Sequence, residues 1–99
     1  MNIRVSGRAK ARIRRQDEWW RSNRLDAPDL FKEELAATFS RIARHAKVRR
    51  PHVLIDGEPV WRVFMPRTEQ HVYYTVSEAS EEIVIETVWG ARRRRGPKL

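Results

Sequence analysis

The stretch that decides the fold of this chain is HVYYTV-SEASEE-IVIETVWG-ARRRRGPKL, residues 71–99. Two of its segments, 71–76 and 83–89, are rich in β-branched and aromatic residues, the types that strands favour. A short polar connection separates them, which predicts two neighbouring antiparallel strands. The second strand runs directly into four consecutive arginines, so we expect one end of the sheet to be strongly cationic.

Side chains that alternate along a strand point to opposite faces of the sheet. For the first strand this predicts two opposed sets, namely Val72, Tyr74 and Val76 against His71, Tyr73 and Thr75. For the last strand the opposed sets are Ile83, Ile85, Thr87 and Trp89 against Val84, Glu86 and Val88. Tyr74 shares its face with two valines, so we interpret it as a core residue.

Toward the N-terminus, two further strands are predicted at 52–55 and 58–65, and a turn follows them at 66–70. They flank Asp56-Gly57, a dipeptide typical of two-residue hairpin turns. The chain opens with a short strand at 2–5, and Ser6 is expected to cap the helix that follows.

Two amphipathic helices fill the interval between these strands. The first is predicted over 7–21, with a core stripe at Ala9, Ile13, Gln16 and Trp20. The second is predicted to begin near 26–28, with Pro28 in its first turn, and to break at 47–51. The element order β-α-α-β-β-β predicts a single α+β domain over residues 1–99, in which a small antiparallel β-sheet has an N-terminal α-helical hairpin packed on one face.

Composition limits the classes of partner. The chain has 21 lysines and arginines against 13 acidic residues, a net charge of +8. The basic residues concentrate in the helical half and in the tail, whereas the predicted sheet is acidic. Such a surface favours polyanions or an acidic protein partner.

Cysteine is absent and the three histidines are scattered, so neither a metal site nor a cofactor is expected. No apolar run suggests a secretory signal or a membrane span, and we expect a cytoplasmic protein that contacts no membrane.

Several segments, in order, resemble bacterial type II toxins of the RelE/ParE superfamily. They are EWWRSNR (18–24), APDLFKEEL (27–35), VWRVFMPRT (60–68), HVYYTV (71–76) and IVIETVWGARRRRGPKL (83–99). The resemblance spans nearly the whole chain. It implies a toxin that is neutralised by a small cognate antitoxin in a hetero-oligomeric complex. An acidic antitoxin tail would suit this basic chain.

The superfamily contains two mechanisms. RelE-like members are ribosome-dependent mRNA endoribonucleases, and their chemistry needs a proton acceptor, a proton donor and a cation beside the phosphate. The matching strand position here holds Arg62, with Arg67 just after it. The expected proton-transfer residue near the C-terminus is missing, because nothing after Trp89 is a tyrosine, a histidine or a carboxylate. The remaining catalytic candidates are Arg62, His71 and Tyr73.

ParE-like members inhibit DNA gyrase and need no proton-transfer set, so the sequence favours this mechanism over the RelE-like alternative. The target-binding candidates are then Arg92, Arg93, Arg94 and Arg95, unless they form a disordered solubilising tail. The antitoxin-binding candidates are Trp61, Arg62 and Trp89; for Arg62 a structural ion pair with Glu86 is the other interpretation. A hypothesis from another class is a basic nucleic-acid-binding module.

Overall fold

The computed structural model describes residues 1–47 and 50–99. Its elements, in chain order, are β1 (Asn2–Val5), α1 (Gly7–Asn23), α2 (Leu30–His45), β2 (Val53–Ile55), β3 (Glu58–Met65), β4 (Gln70–Ser77) and β5 (Glu82–Gly90). Across these described residues, five strands form one sheet in the order β1-β5-β4-β3-β2. The predicted α+β class, with a helical pair on one face of the sheet, is confirmed.

The sheet is mixed rather than antiparallel, because β1 runs parallel to β5 while the other neighbours are antiparallel. A parallel pair needs a long connection between its strands. Here both helices and three strands separate β1 from β5 along the chain, so the connection is long enough for the two strands to pair in parallel. Four strands follow the helices, and they match the four segments predicted at 52–55, 58–65, 71–76 and 83–89. The predicted order β-α-α-β-β-β is therefore one strand short, because it does not count the short β2 separately from β3.

The core lies between the helices and one face of the sheet, which we call the helical face. Buried side chains from the helices, including Ala9, Phe31 and Leu35, pack there against alternate residues of the strands. Tyr74 belongs to this core, as predicted, and its hydroxyl donates a hydrogen bond of 2.7 Å to the carbonyl of Ala46. Tyr74 also stacks on Trp61, with 5.9 Å between ring centroids. The opposite side of the sheet is called the open face below.

Helix α1 begins as predicted, because the Ser6 hydroxyl accepts a hydrogen bond of 3.0 Å from the backbone N–H of Ala9. Helix α2 begins at Leu30, later than predicted. Pro28 precedes the helix within a turn instead of occupying its first turn, and the Asp29 carboxylate lies 2.7 Å from Arg21. Helix α2 ends at His45. The break predicted at 47–51 includes Val48 and Arg49, which lie outside the described residues.

The hairpin turn between β2 and β3 is confirmed. Asp56 and Gly57 have φ angles of 50° and 80°. A type I′ turn requires positive φ at both central residues, which glycine adopts freely and aspartate tolerates.

A bulge in β5 overturns the predicted alternation of that strand. Tyr73 pairs with Thr87 but Tyr74 pairs with Ile85, so Glu86 is an extra residue on β5. One extra residue exchanges the two faces from that point onward. Consequently Val88, rather than Thr87, joins the core beside Ile85.

Within the described residues, no helix has both the length and the hydrophobicity needed to cross a lipid bilayer.

Candidate functional site

The open face carries a group of polar and aromatic side chains on β3 and β4. Arg62 pairs with Tyr73 across the two strands, and Phe64 pairs with His71. The His71 ring lies 6.1 Å from the Tyr73 ring and 5.3 Å from the Phe64 ring, measured between centroids. The structure therefore brings together Arg62, His71 and Tyr73, the three catalytic candidates from the sequence.

His52 joins this group from the start of the β2–β3 hairpin. Its backbone N–H donates a hydrogen bond of 2.8 Å to the Val60 carbonyl, and its ring lies 5.9 Å from that of Tyr73. Sequence analysis missed His52 because none of the segments that carry the family resemblance includes it. The Asp56-Gly57 turn was the available signal, since the hairpin it predicts folds this segment back onto β3. Below, the open-face cluster means Arg62, His52, His71 and Tyr73.

The two imidazoles of the cluster are biased toward their neutral forms. Burial lowers the pKa of His71, and the charges of Arg62 and His52 lower it further. Burial also lowers the pKa of His52, with a second contribution from Arg62. Desolvation disfavours the protonated imidazole, and a nearby cation repels it. Both rings are therefore mainly neutral at pH 7, the form in which one ring nitrogen accepts a proton.

The remaining two members of the cluster differ in exposure. Arg62 is exposed, and the ion pairs found among residues 1–47 and 50–99 do not include it. Glu86, the partner considered for it from the sequence, instead accepts a hydrogen bond of 2.8 Å from Thr75. Tyr73 is only 3% exposed, and its ring contacts those of His52 and His71 edge to face. The cluster thus combines proton-transfer groups with a guanidinium that is free to meet an anion.

No group of three or more histidine, cysteine or acidic side chains suited to a metal ion occurs in the described part of the chain.

The arginine tail after β5 is packed against the domain rather than extended into solvent. The indole N–H of Trp89 donates to the Arg95 carbonyl at 2.6 Å, and Arg8 donates to the Lys98 carbonyl at 2.5 Å. The guanidinium of Arg93 lies 4.2 Å from the centroid of the Trp89 ring. These contacts hold the tail in place, while the four arginine side chains, Arg92 to Arg95, are exposed.

The residues proposed from the sequence to bind an antitoxin lie in different environments. Trp61 is a core residue, 6% exposed, so only an edge of it is accessible to a partner. Trp89 is half-buried at the end of β5, where the guanidinium of Arg12 also lies 4.2 Å from its ring centroid. Arg62 is exposed on the open face. The structure therefore does not gather these three residues into one surface.

A groove of about 630 Å³ lies where the last turns of α1 meet the β3–β4 turn and the start of the arginine tail. We call it the tryptophan groove. Its aromatic and cationic lining consists of Trp19, Trp20, Arg24, Arg67, Arg92 and Arg93. Sequence analysis did not identify it, because only the tertiary structure brings these three segments together. In the sequence, Trp20 belongs to the predicted core stripe of the first helix, and the Trp19-Trp20 pair belongs to the segment EWWRSNR that carries the family resemblance.

Glu34 of α2 holds one wall of the tryptophan groove in position. Its carboxylate accepts hydrogen bonds from the backbone N–H groups of Arg67 and Thr68, at 2.8 and 2.9 Å, and from the Thr68 hydroxyl, at 2.7 Å. Glu34 is 8% exposed, so this carboxylate is a buried anchor for the β3–β4 turn. In the sequence Glu34 lies within the segment APDLFKEEL, and nothing in the local pattern indicates this role.

A second groove, of about 380 Å³, runs between α1 and α2. Its walls are mainly apolar and include Ile13, Phe31 and Phe39, while Lys10 and Arg14 lie among its polar lining. It presents an apolar surface next to positive charge.

Comparison with known proteins supports the fold but provides no close relative. No family model matches the chain, and no curated protein matches it. The structure is similar to the crystal structure of the isolated E. coli RelE toxin, with a TM-score of 0.59 and 12% sequence identity. The match covers 95% of this chain and 87% of the E. coli chain. At this identity the likeness shows that the two chains share a fold.

Proposed function

We propose, since the chain has the fold of the RelE/ParE superfamily, that it is the toxin of a type II toxin–antitoxin pair and acts as a RelE-like, ribosome-dependent mRNA endoribonuclease. The observation that carries this proposal is the open-face cluster, in which two imidazoles, a phenol and an exposed guanidinium meet on one surface. The sequence alone favours ParE-like inhibition of DNA gyrase, because the usual C-terminal proton-transfer residue is missing. The cluster supplies equivalent groups from β4 and from the start of the hairpin.

The reaction needs one base, one acid and one cation. A neutral imidazole, of His71 or His52, takes the proton of the ribose 2′-hydroxyl, and the oxygen attacks the adjacent phosphorus. The bond from phosphorus to the 5′ oxygen breaks, and the imidazolium formed by that proton transfer donates its proton to the leaving 5′ oxygen, which restores the neutral ring. Arg62 stabilises the negative charge that develops on the phosphoryl oxygens. Tyr73 contacts both imidazole rings edge to face and orients them.

The test is cleavage of a defined mRNA by the purified chain on programmed ribosomes, read by primer extension. We expect cleavage of ribosome-bound mRNA and none of free mRNA. A folded protein that arrests growth but leaves the mRNA intact on ribosomes would contradict the proposal. The matched comparison is a chain carrying Arg62→Ala, which should remain folded, because Arg62 is exposed, and should cleave poorly.

The pH dependence of cleavage follows from the lowered pKa values of His52 and His71. Because both pKa values lie below the ordinary 6.5, cleavage should rise with pH below 6.5 and level off above it. Arg62→Ala removes a charge that lowers both pKa values, so this acidic limb should move toward higher pH. Proton NMR titration of the imidazole resonances measures the change in the two histidine pKa values directly, without an activity assay. If the histidine pKa values in the Arg62→Ala chain equal those of the unmodified protein, Arg62 does not lower them and this prediction is wrong.

The partner in this proposal is a small antitoxin with an acidic, amphipathic segment. The apolar groove between α1 and α2, with Lys10 and Arg14 beside it, offers such a segment both hydrophobic contact and complementary charge. Trp89 and Arg62 are further candidate contacts from the sequence, and Trp61 contributes at most its exposed edge. Co-expression with the neighbouring open reading frame should rescue growth and yield a hetero-oligomeric complex.

A second candidate is ParE-like inhibition of DNA gyrase, and the packed arginine tail is the observation that favours it. Four exposed arginines on a defined surface can engage an acidic protein surface or DNA. A gyrase supercoiling assay with a cleavage-complex readout separates the two candidates. Accumulation of cleaved DNA, with no mRNA cleavage on ribosomes, would replace the endoribonuclease with the gyrase poison.

A further inference from the structure

We propose that the tryptophan groove binds single-stranded nucleic acid, with a base stacked on Trp19 and the adjacent phosphates held by the arginines of the groove. This site is separate from the open-face cluster, and it does not depend on the proposed cleavage activity. Its ligand is defined by two features that occur together, an exposed aromatic surface and several guanidinium groups.

The aromatic feature is the step formed by Trp19 and Trp20. Their rings meet edge to face, with centroids 5.7 Å apart. Trp19 is 45% exposed, and its free surface faces the groove region rather than the core. A nucleic-acid base stacks on such a surface regardless of its sequence, because every base has a π face.

Arg24 extends this step into a mixed aromatic and cationic surface. Its guanidinium carbon lies 5.2 Å from the Trp19 centroid and 5.8 Å from the Trp20 centroid. A guanidinium in this position remains positively charged, so it attracts a phosphate beside the stacked base. Recognition of single strands commonly combines aromatic and arginine planes in this way.

Three further arginines line the same groove. Arg67 belongs to the β3–β4 turn anchored by Glu34, and its side chain is exposed. Arg92 is partly neutralised by an ion pair of 2.9 Å with Glu69, the acidic residue of the groove lining. Arg93 stacks on Trp89 at the groove margin. The lining therefore retains a clear excess of positive charge, carried by exposed side chains.

The groove fits a nucleic-acid strand better than an acidic protein segment. Acidic side chains would use the arginines but would leave the exposed Trp19 surface without a flat partner. The volume of about 630 Å³ is that of a small-molecule pocket and accommodates individual nucleotides rather than a helix. A strand passing through it would run along the end of the sheet toward the arginine tail.

The experiment is fluorescence anisotropy with the full, purified chain and no ribosomes. The labelled probes are octauridylate and the DNA octamer of the same length, and the competitors are polyphosphate and polyglutamate at equal charge. We expect both octamers to bind, with affinity that falls as salt rises from about 50 to 200 mM. Preference for one octamer would identify RNA or DNA as the source of the strand. Competition by polyphosphate or polyglutamate as strong as that by unlabelled octamer would overturn the proposal, because it would mean that stacking plays no part.

Two pairs of variants locate the site. Trp19→Ala should weaken octamer binding about 5- to 100-fold, whereas Trp19→Phe, which keeps a stacking ring, should retain most of the affinity. Arg24→Ala should reduce the salt slope by about 0.7, and Arg44→Ala, an equal charge removal on exposed α2 surface, should weaken binding less. Equal affinities for Trp19→Ala and the unmodified chain would refute the site. His71→Ala should bind the octamers normally even if it is inactive, so failure of the endoribonuclease proposal and failure of this one are distinguishable.

Discussion

His71→Ala is expected to lower ribosome-dependent mRNA cleavage by about 10²- to 10⁴-fold, the usual range for removal of a positioned general acid or base. Within the open-face cluster, the His71 ring lies 6.1 Å from that of Tyr73, and it also lies 5.3 Å from the ring of Phe64. Its pKa is lowered by burial and by Arg62, so it is neutral and able to accept a proton at pH 7. The measurement is the single-turnover cleavage rate on programmed ribosomes.

The matched control is His45→Ala, which removes an exposed histidine at the end of α2 on the other side of the sheet. It should cleave at the rate of the unmodified protein. His52→Ala distinguishes between the two imidazoles, since substitution of the ring that acts as the base should lower the cleavage rate more. Unchanged cleavage by His71→Ala and by the variant that combines His52→Ala with His71→Ala would rule out imidazole catalysis. A melting temperature near that of the unmodified chain is needed for either variant to be informative.

Glu34→Ala is expected to destabilise the fold by about 2–4 kcal/mol, because two backbone N–H groups and a hydroxyl lose a charged acceptor. All three donors belong to Arg67 and Thr68, and the carboxylate that accepts from them is nearly buried. Loss of the anchor also frees the β3–β4 turn, so the tryptophan groove should lose its shape. The measurement is urea unfolding, in which the midpoint concentration should fall while the dependence of the unfolding free energy on urea concentration stays the same.

Two substitutions make this prediction specific. Glu33→Ala removes the exposed neighbouring carboxylate of α2, and a surface change of this kind is usually within about 0.5 kcal/mol of neutral. Glu34→Gln retains one carbonyl acceptor, so its free energy of unfolding should lie between those of the two alanine variants. If Glu33→Ala and Glu34→Ala unfold at the same urea concentration, the carboxylate anchor does not contribute to stability.

The strands and turns were predictable from the sequence because their signals are local. Positive φ at Asp56 and Gly57 is a property of those two residues, and it specifies the hairpin wherever the hairpin packs. Alternation along 71–76 placed Tyr74 in the core and Tyr73 opposite it, because the pleat of a strand leaves no other choice. The Ser6 cap likewise depends only on residues within one turn of it.

The candidate site was predictable only in part. Arg62, His71 and Tyr73 followed from strand alternation and from the family resemblance, since they lie on adjacent strands. His52 required the hairpin register, which determines the residue that folds back toward Tyr73. The sequence also favoured the gyrase mechanism. The family resemblance implies a proton-transfer residue after Trp89, where this chain has none, and it does not point to the histidine at the start of β2.

The sequence by itself determined the elements, the two opposed faces of β4 and the positive charge of the tail, because each depends on residues near one another in the chain. Only the tertiary structure decided the parallel pairing of β1 with β5, the bulge at Glu86 and the tryptophan groove. Each of these joins segments that are distant in sequence, and the free energy that selects them comes from contacts between those segments. The bulge shows the reason most plainly: one residue added opposite Tyr73 and Tyr74 exchanges the faces of β5, and no pattern within β5 records it.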